Sequence, residues 1–135
     1  MAKLTDAMKE FMAENLAYVA TVDAEGNPNI GPKRTARILD DEHIIYNENT
    51  GGQTMRNLKD NGKIAIAYVN YEKLDGYRFV GSAEVYEEGP YKEQALEWTQ
   101  IHKKGNPKAA VVMKIERIYT LKIGPTAGTE ITDAE

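Results

Sequence analysis

The sequence predicts a mainly β domain: an antiparallel barrel of about six strands with short helices at one side. Six β-prone runs are separated by turn residues, and most of them follow one another in hairpin order. Three helical patterns accompany them, one at the start of the chain and two between strands. Many short strands with few helices favour a closed or nearly closed barrel over a sandwich. The 135 residues fit one domain, which we expect to span the whole chain, 1–135.

The first element is an amphipathic helix. Thr5 is a good N-cap residue, and Met8, Phe11, Met12 and Leu16 then recur at the spacing of one helical face. This pattern predicts a helix that covers the core with its apolar side.

The six predicted strands share a high content of β-branched and aromatic residues. They cover residues 17–22, 29–39, 43–47, 63–71, 77–87 and 109–123. The turn at Asp40 and Asp41 joins the second and third strands as a hairpin. The strand 63–71 is apolar on both faces, which is typical of a central strand, and Gly81 predicts a bulge in the next one.

Two further helices are predicted at 53–60 and 91–104. Asn61 and Gly62 supply a left-handed stop for the first, and Gly89 and Pro90 open the second. Residues 124–135 are rich in Gly and Thr, and we expect them to form a flexible tail.

Composition excludes several classes of function. The chain has no cysteine, which removes disulfides, thiolate metal sites and thiol nucleophiles. The net charge of −4 gives no long-range attraction for nucleic-acid phosphates or anionic lipid. No apolar run reaches the roughly 20 residues that span a bilayer, and the N-terminus lacks the layout of a secretory signal. We therefore expect a cytoplasmic protein with no membrane or nucleic-acid partner.

Two neighbouring features point to an anion site. The run 31–37 carries Lys33, Arg34 and Arg37 in an acidic chain. In one continuous strand, Lys33, Thr35 and Arg37 would share a face. Gly51 and Gly52 then precede a helix, whose first N–H groups and dipole attract phosphate. Each feature alone is also explained by a solvated strand face or a simple turn.

His43 and His102 lie in different elements without a neighbouring ligand spacing, so no metal site is predicted. One alternative reading of the barrel is oligonucleotide binding, in which four aromatic residues would be the stacking platform: Tyr46, Tyr68, Tyr71 and Phe79. The acidic balance argues against it.

The order of five segments resembles the pyridoxamine 5′-phosphate oxidase-like FMN-binding split barrels. The segments are AYVATVDAEGNP (17–28), PNIGPKRTARILDD (28–41), IIYNENTGGQTMRNL (44–58), GKIAIAY (62–68) and YRFVGSAEV (77–85). The likeness runs from about Phe11 to Gly128 and includes the closing IYTLKIGP (118–125). Its specificity lies in the ordered combination of these pieces.

The resemblance implies a six-stranded antiparallel split barrel and a homodimer that holds FMN in a groove between subunits. Carried over by position, it also implies cofactor contacts from these residues: Pro32, Lys33, Arg34, Thr35, Arg37, Asn47, Glu48, Gln53 and Thr54. Residues 76–78 fall where the partner subunit of such proteins contributes. The catalytic residues are not identified.

Two positions depart from the family pattern. Many members carry a lysine where Gln53 stands, so here the phosphate charge must be met by the helix N–H groups and by Lys33, Arg34, Arg37 or Arg56. The C-terminal arginine segment of true pyridoxamine-phosphate oxidases has no counterpart in residues 124–135.

The leading hypothesis is therefore a flavin-dependent oxidoreductase or flavin electron carrier, acting on a small-molecule substrate or a redox partner. The alternative is a non-enzymatic binding module for a deazaflavin, haem or another small ligand.

Overall fold

The computed structural model describes residues 2–103 and 105–132. Within them, seven strands form one antiparallel sheet in the order β2-β1-β5-β6-β7-β4-β3, and three helices flank it. In chain order the elements are α1 (Asp6–Glu14), β1 (Ala17–Val22), β2 (Pro28–Lys33), β3 (Arg37–Asp40), β4 (His43–Glu48), α2 (Gln53–Asn61), β5 (Lys63–Asn70), β6 (Asp75–Tyr86), α3 (Pro90–His102) and β7 (Ala109–Thr120). The predicted fold class is confirmed.

The strand count differs because the predicted strand 29–39 is broken in two. Residues 34–36 leave the sheet, and Ala36 N–H closes a turn on the Lys33 carbonyl at 3.3 Å. The cause is the side chain of Thr35, which turns inward to the backbone of Asn47. Its Oγ1 donates to the Asn47 carbonyl at 3.1 Å and accepts from the Asn47 N–H at 2.9 Å. Lys33, Thr35 and Arg37 consequently do not share one strand face, and that expectation was wrong.

The break is also the place where the barrel stays open. β2 and β3 are the two edges of the sheet, although they are consecutive in the chain. Lys33 on β2 nevertheless contacts Glu48 on β4, a strand five places away in the sheet order. The sheet therefore curls until its edges approach each other, and a split remains between them.

The main core fills the inside of this curled sheet. Its largest fully buried side chains include Tyr46, Tyr68, Phe79 and Ile66. Met8, Phe11 and Met12 of α1 belong to the same cluster, as does Leu58 of α2. A smaller cluster lies outside the barrel, where Ala95 of α3 packs on Ile45, Ala110 and Val112. Two helices thus close the barrel interior, and α3 covers the outer face of β4 and β7.

Several local predictions are confirmed. Thr5 caps α1, with its Oγ1 accepting the Met8 N–H at 3.2 Å. Gly62 ends α2 at φ +71°, the left-handed conformation that glycine adopts without strain. The register of β6 and β7 shifts between Val80 and Gly81, which is the predicted bulge.

The C-terminal segment folds back along β7 as far as it is described. Gly128 N–H donates to the Thr120 carbonyl at 2.7 Å, and Ile131 N–H donates to the Ile118 carbonyl at 2.7 Å. The part of the expected flexible tail beyond Thr132 lies outside the described residues, as does Lys104, the predicted end of the third helix.

Among the helices of the described residues, none is long and apolar enough to cross a membrane.

Candidate functional site

Two adjoining cavities lie at the split between β2 and β3. The larger, of about 300 Å³, is lined by Pro32, Lys33, Arg34, Thr35, Asn47, Asn49, Thr50 and Gly105. The smaller, of about 180 Å³, is lined by Asn29, Ile30, Lys33, Glu48, Thr50, Gly52, Gln53 and Thr54. Lys33 and Thr50 line both, so a single elongated ligand could extend from one into the other.

Lys33 lies between the two cavities because β2 directs its side chain into the barrel. Its Nζ is 3.1 Å from Oε1 and 3.3 Å from Oε2 of Glu48. It also lies 5.4 Å from the centre of the Tyr46 ring, a cation–π contact. The Lys33 side chain is 13% exposed and that of Glu48 is fully buried, so the pair is held inside the protein.

Glu48 also organises the glycine loop that follows β4. Its Oε2 accepts the N–H of Thr50 at 3.1 Å and the N–H of Gly51 at 3.0 Å. Gly51 has φ +68°, and a Cβ there would come within 2.8 Å of the Lys108 side chain. The loop therefore requires glycine at this position, and the carboxylate fixes its shape.

Two buried amide oxygens at the larger cavity have no hydrogen-bond partner among the described residues: Oδ1 of Asn47 and Oδ1 of Asn49. The Nδ2 of Asn47 is fixed, since it donates to the Ala95 carbonyl at 3.3 Å and to Thr99 Oγ1 at 3.1 Å. A buried acceptor without a partner costs about 1–3 kcal/mol. A ligand with N–H or O–H groups would remove that cost.

The N-terminus of α2 borders the smaller cavity. Its N-cap is Gly52, and no side chain caps the helix. Thr54 Oγ1 accepts from Asn29 Nδ2 at 2.9 Å, which ties the helix start to β2. Gln53 points along the helix, with its Nε2 donating to Asn57 Oδ1 at 2.6 Å and its Oε1 accepting from Arg56 at 3.0 Å. Gln53 and Arg56 are therefore already hydrogen-bonded to each other in the structure.

The two arginines of the run 31–37, Arg34 and Arg37, lie in different places. Arg34 is exposed and lines the larger cavity. Arg37 lines neither cavity: it donates to the Thr35 carbonyl at 2.7 Å and stacks 4.5 Å from the Trp98 ring. Burial lowers the pKa of Arg37 to about 10, so it stays charged at neutral pH. Its position under α3 follows from the turn at 34–36.

Eight of the nine predicted site residues therefore line the two cavities, and Arg37 is the exception. The sequence reasoning missed five residues that line them as well: Asn29, Ile30, Asn49, Thr50 and Gly105. Asn49 and Thr50 were visible as loop residues beside Gly51. Asn29 and Gly105 carried no local signal, because only the curl of the sheet brings them to the split.

Three of the four aromatic residues proposed for oligonucleotide stacking, Tyr46, Tyr68 and Phe79, are buried in the core. Burial also raises the pKa of Tyr46 and Tyr68. Only Tyr71 is open to solvent, at 90% exposure. The stacking platform of that alternative is therefore absent from the described surface.

Several proteins of solved structure are similar to this chain in fold, and some of them in sequence as well. HupZ of Group A Streptococcus is 54% identical, with a TM-score of 0.86 over 93% of this chain and 99% of its own. A Lactobacillus delbrueckii protein assigned to the pyridoxamine 5′-phosphate oxidases is 34% identical, with a TM-score of 0.77 over 88% of this chain and 95% of its own. At 22% identity, an FMN-binding protein from Syntrophomonas wolfei has the same fold, with a TM-score of 0.74 over 87% and 85%.

The family model for pyridoxamine 5′-phosphate oxidase matches residues 4–122, nearly the whole described chain. The match includes every residue that lines the two cavities. The chain belongs to the pyridoxamine 5′-phosphate oxidase family.

Proposed function

We propose that the protein binds FMN at the split of the barrel and acts as a flavin-dependent oxidoreductase or flavin electron carrier. One observation carries the proposal. The larger cavity combines an exposed cation, Arg34, with two buried amide oxygens that have no partner among the described residues. A flavin ring and its ribityl chain present N–H and O–H donors as well as acceptors, which match such a lining.

The residues present fit FMN along its length. Arg34, Asn47 and Asn49 would contact the ring and ribityl groups, and the first turn of α2 at Gln53 and Thr54 would face the phosphate. FMN supplies hydride or electron transfer when bound, and the protein orients it and excludes water. The substrate would be a small molecule or a redox partner that reaches the open side of the split.

A homodimer is part of the proposal. The outward face of the sheet carries two apolar rows: Pro32, Tyr18 and Ala67 in one, and Ile30, Ala20, Ala65 and Val80 in the other. Ile30 is 71% exposed, and a shallow cavity beside it is lined mainly by apolar atoms. Such a face suits a second copy of the chain. Arg78 pairs with Ala67 at its border, where a partner subunit would meet the site.

The test of the dimer is its molar mass in solution by light scattering. We expect twice the chain mass for the unaltered protein. Tyr18→Glu places a charge on the apolar face, outside both cavities, and should yield monomers that unfold normally. A monomeric unaltered protein, or a variant that remains dimeric, contradicts this use of the face.

The test of flavin binding is a fluorescence titration of FMN with ligand-free protein. We expect saturable quenching with one FMN per chain. Arg34→Ala should weaken binding about tenfold, since one charge-assisted contact is lost. The matched control is Lys59→Ala, which removes an exposed cation of α2 outside both cavities and outside the apolar face. Absence of saturable binding, or equal effects of both variants, would refute the site.

A second candidate function is a non-enzymatic module that holds a deazaflavin, haem or another small ligand in the same cavities. The observation in its favour is that Glu48 neutralises Lys33 where a phosphate would otherwise gain a cation. A thermal-shift panel of these ligands separates the two candidates, because a ligand at about 100 times its Kd stabilises the fold by roughly 2.7 kcal/mol. Reduction of bound FMN by NADH or NADPH would favour the oxidoreductase.

A further inference from the structure

The carboxylate of Glu48 accepts hydrogen bonds from groups that could otherwise bind the anion of a ligand. The carboxylate is fully buried and takes hydrogen bonds from the Thr50 and Gly51 N–H groups and from Lys33 Nζ. Loop amides at a helix start together with a lysine are the donors that a phosphate group uses. The protein therefore supplies its own anion to Lys33 and to the loop amides before the N-cap, and it leaves the first turn of α2 without a side-chain cap.

The described lining of the smaller cavity offers one cation, and Lys108, which packs against Gly51, lies outside that lining. Lys33 is the only basic residue in its lining, and it is already paired. Arg56 donates to Gln53, and Arg37 lies on Trp98. A phosphate that entered would share the cavity with a buried carboxylate at close range, which disfavours the second negative charge.

We propose that Glu48 is a specificity-determining residue that removes the advantage of a phosphorylated flavin over an unphosphorylated one. This rests on the proposed flavin function. The ring cavity supplies the binding, and Glu48 competes with the phosphate for Lys33 and for the loop amides. The site then accepts riboflavin and FMN about equally.

The first experiment compares the two flavins on the unaltered protein. FMN and riboflavin are titrated under identical salt conditions. Their dissociation constants are expected to agree within about fivefold, because the one basic residue in the described lining of the smaller cavity is already paired with Glu48. A stronger preference for FMN overturns the inference while leaving the proposed function intact. Failure of both flavins to bind removes the proposed function itself.

The second experiment uses Glu48→Gln, which keeps an oxygen for the loop amides but removes the charge and releases Lys33. FMN should bind at least about tenfold more tightly, and riboflavin should bind as before. The matched control, Glu42→Gln, removes a carboxylate paired with Lys114 at the surface and should change neither affinity. An equal change for both flavins, or no change for FMN, overturns the inference. The first experiment does not depend on the folding of any variant.

Discussion

The buried pair of Lys33 and Glu48 makes a quantitative prediction about stability. Replacement of Lys33 by Met keeps the length of the side chain and leaves Glu48 buried without its cation. Loss of one partner from a buried ion pair costs about 3–5 kcal/mol. We expect the lower end, about 3 kcal/mol, because Glu48 retains two amide hydrogen bonds and Lys33 is 13% exposed. In a domain of 135 residues this lowers Tm by roughly 9–12 °C.

The double variant Lys33→Met/Glu48→Gln separates the charge from the packing. With both charges removed, no ion remains buried, and the loss should fall to about 1 kcal/mol. Urea unfolding followed by circular dichroism measures all three proteins, and an unchanged denaturant slope shows that the unfolded state is comparable.

The matched control is Lys114→Met. Its partner is Glu42, and the two side chains are 48% and 25% exposed, so the cost should stay below about 1 kcal/mol. The reasoning is refuted if Lys33→Met costs no more than this control, or if the double variant loses as much as the single one. Either result would mean that the charges are not held away from water.

Three further outcomes are expected. Gly81→Ala would push a Cβ into the carbonyl of Lys114 and should cost more than about 3 kcal/mol in urea unfolding, whereas Gly31→Ala, with open space around it, should cost less than about 1 kcal/mol. Hydrogen bonds, above all from the Asn27 N–H, lower the pKa of Asp23. The ionised carboxylate therefore stabilises the fold above the ordinary pKa of an aspartate, and this contribution is lost as the pH falls through the lowered pKa. The difference in unfolding free energy between the unaltered protein and Asp23→Asn should therefore shrink between pH 7 and pH 2.5. Thr5→Ala should cost about 1 kcal/mol, measured in the same way.

The sequence predicted most of the fold because β-branched and aromatic residues are concentrated in the strands and turn residues separate them. The strand at 63–71 was apolar on both faces, and β5 indeed lies between β1 and β6. The break at 34–36 had no such signal. Thr35 is β-prone, and only its hydrogen bonds to Asn47, twelve residues later, remove it from the strand.

The sequence predicted most of the residues that line the candidate site, but not which of its charged side chains pair with each other. The segments around Lys33 and Glu48 carried the family resemblance, and both residues line the smaller cavity. Their ion pair joins strands that lie near opposite edges of the sheet, so it depends on the final curl rather than on any local pattern. The same holds for Arg37, whose distance from the cavities follows from the turn before it.

The split itself follows from β2 and from the turn after it. Pro28 and Pro32 each remove a backbone N–H from this edge strand, and Thr35 gives its hydrogen bonds to β4 instead of to a strand partner. Both features oppose backbone hydrogen bonding between β2 and β3, which stay unpaired at the two edges of the sheet. Lys33 lies on the inner side of the opening, and Pro32 and Ile30 lie at its rim, exposed to solvent and lining the two cavities. The break between β2 and β3 therefore creates the cavities, and it leaves exposed the edge of the apolar face that we assign to a second subunit.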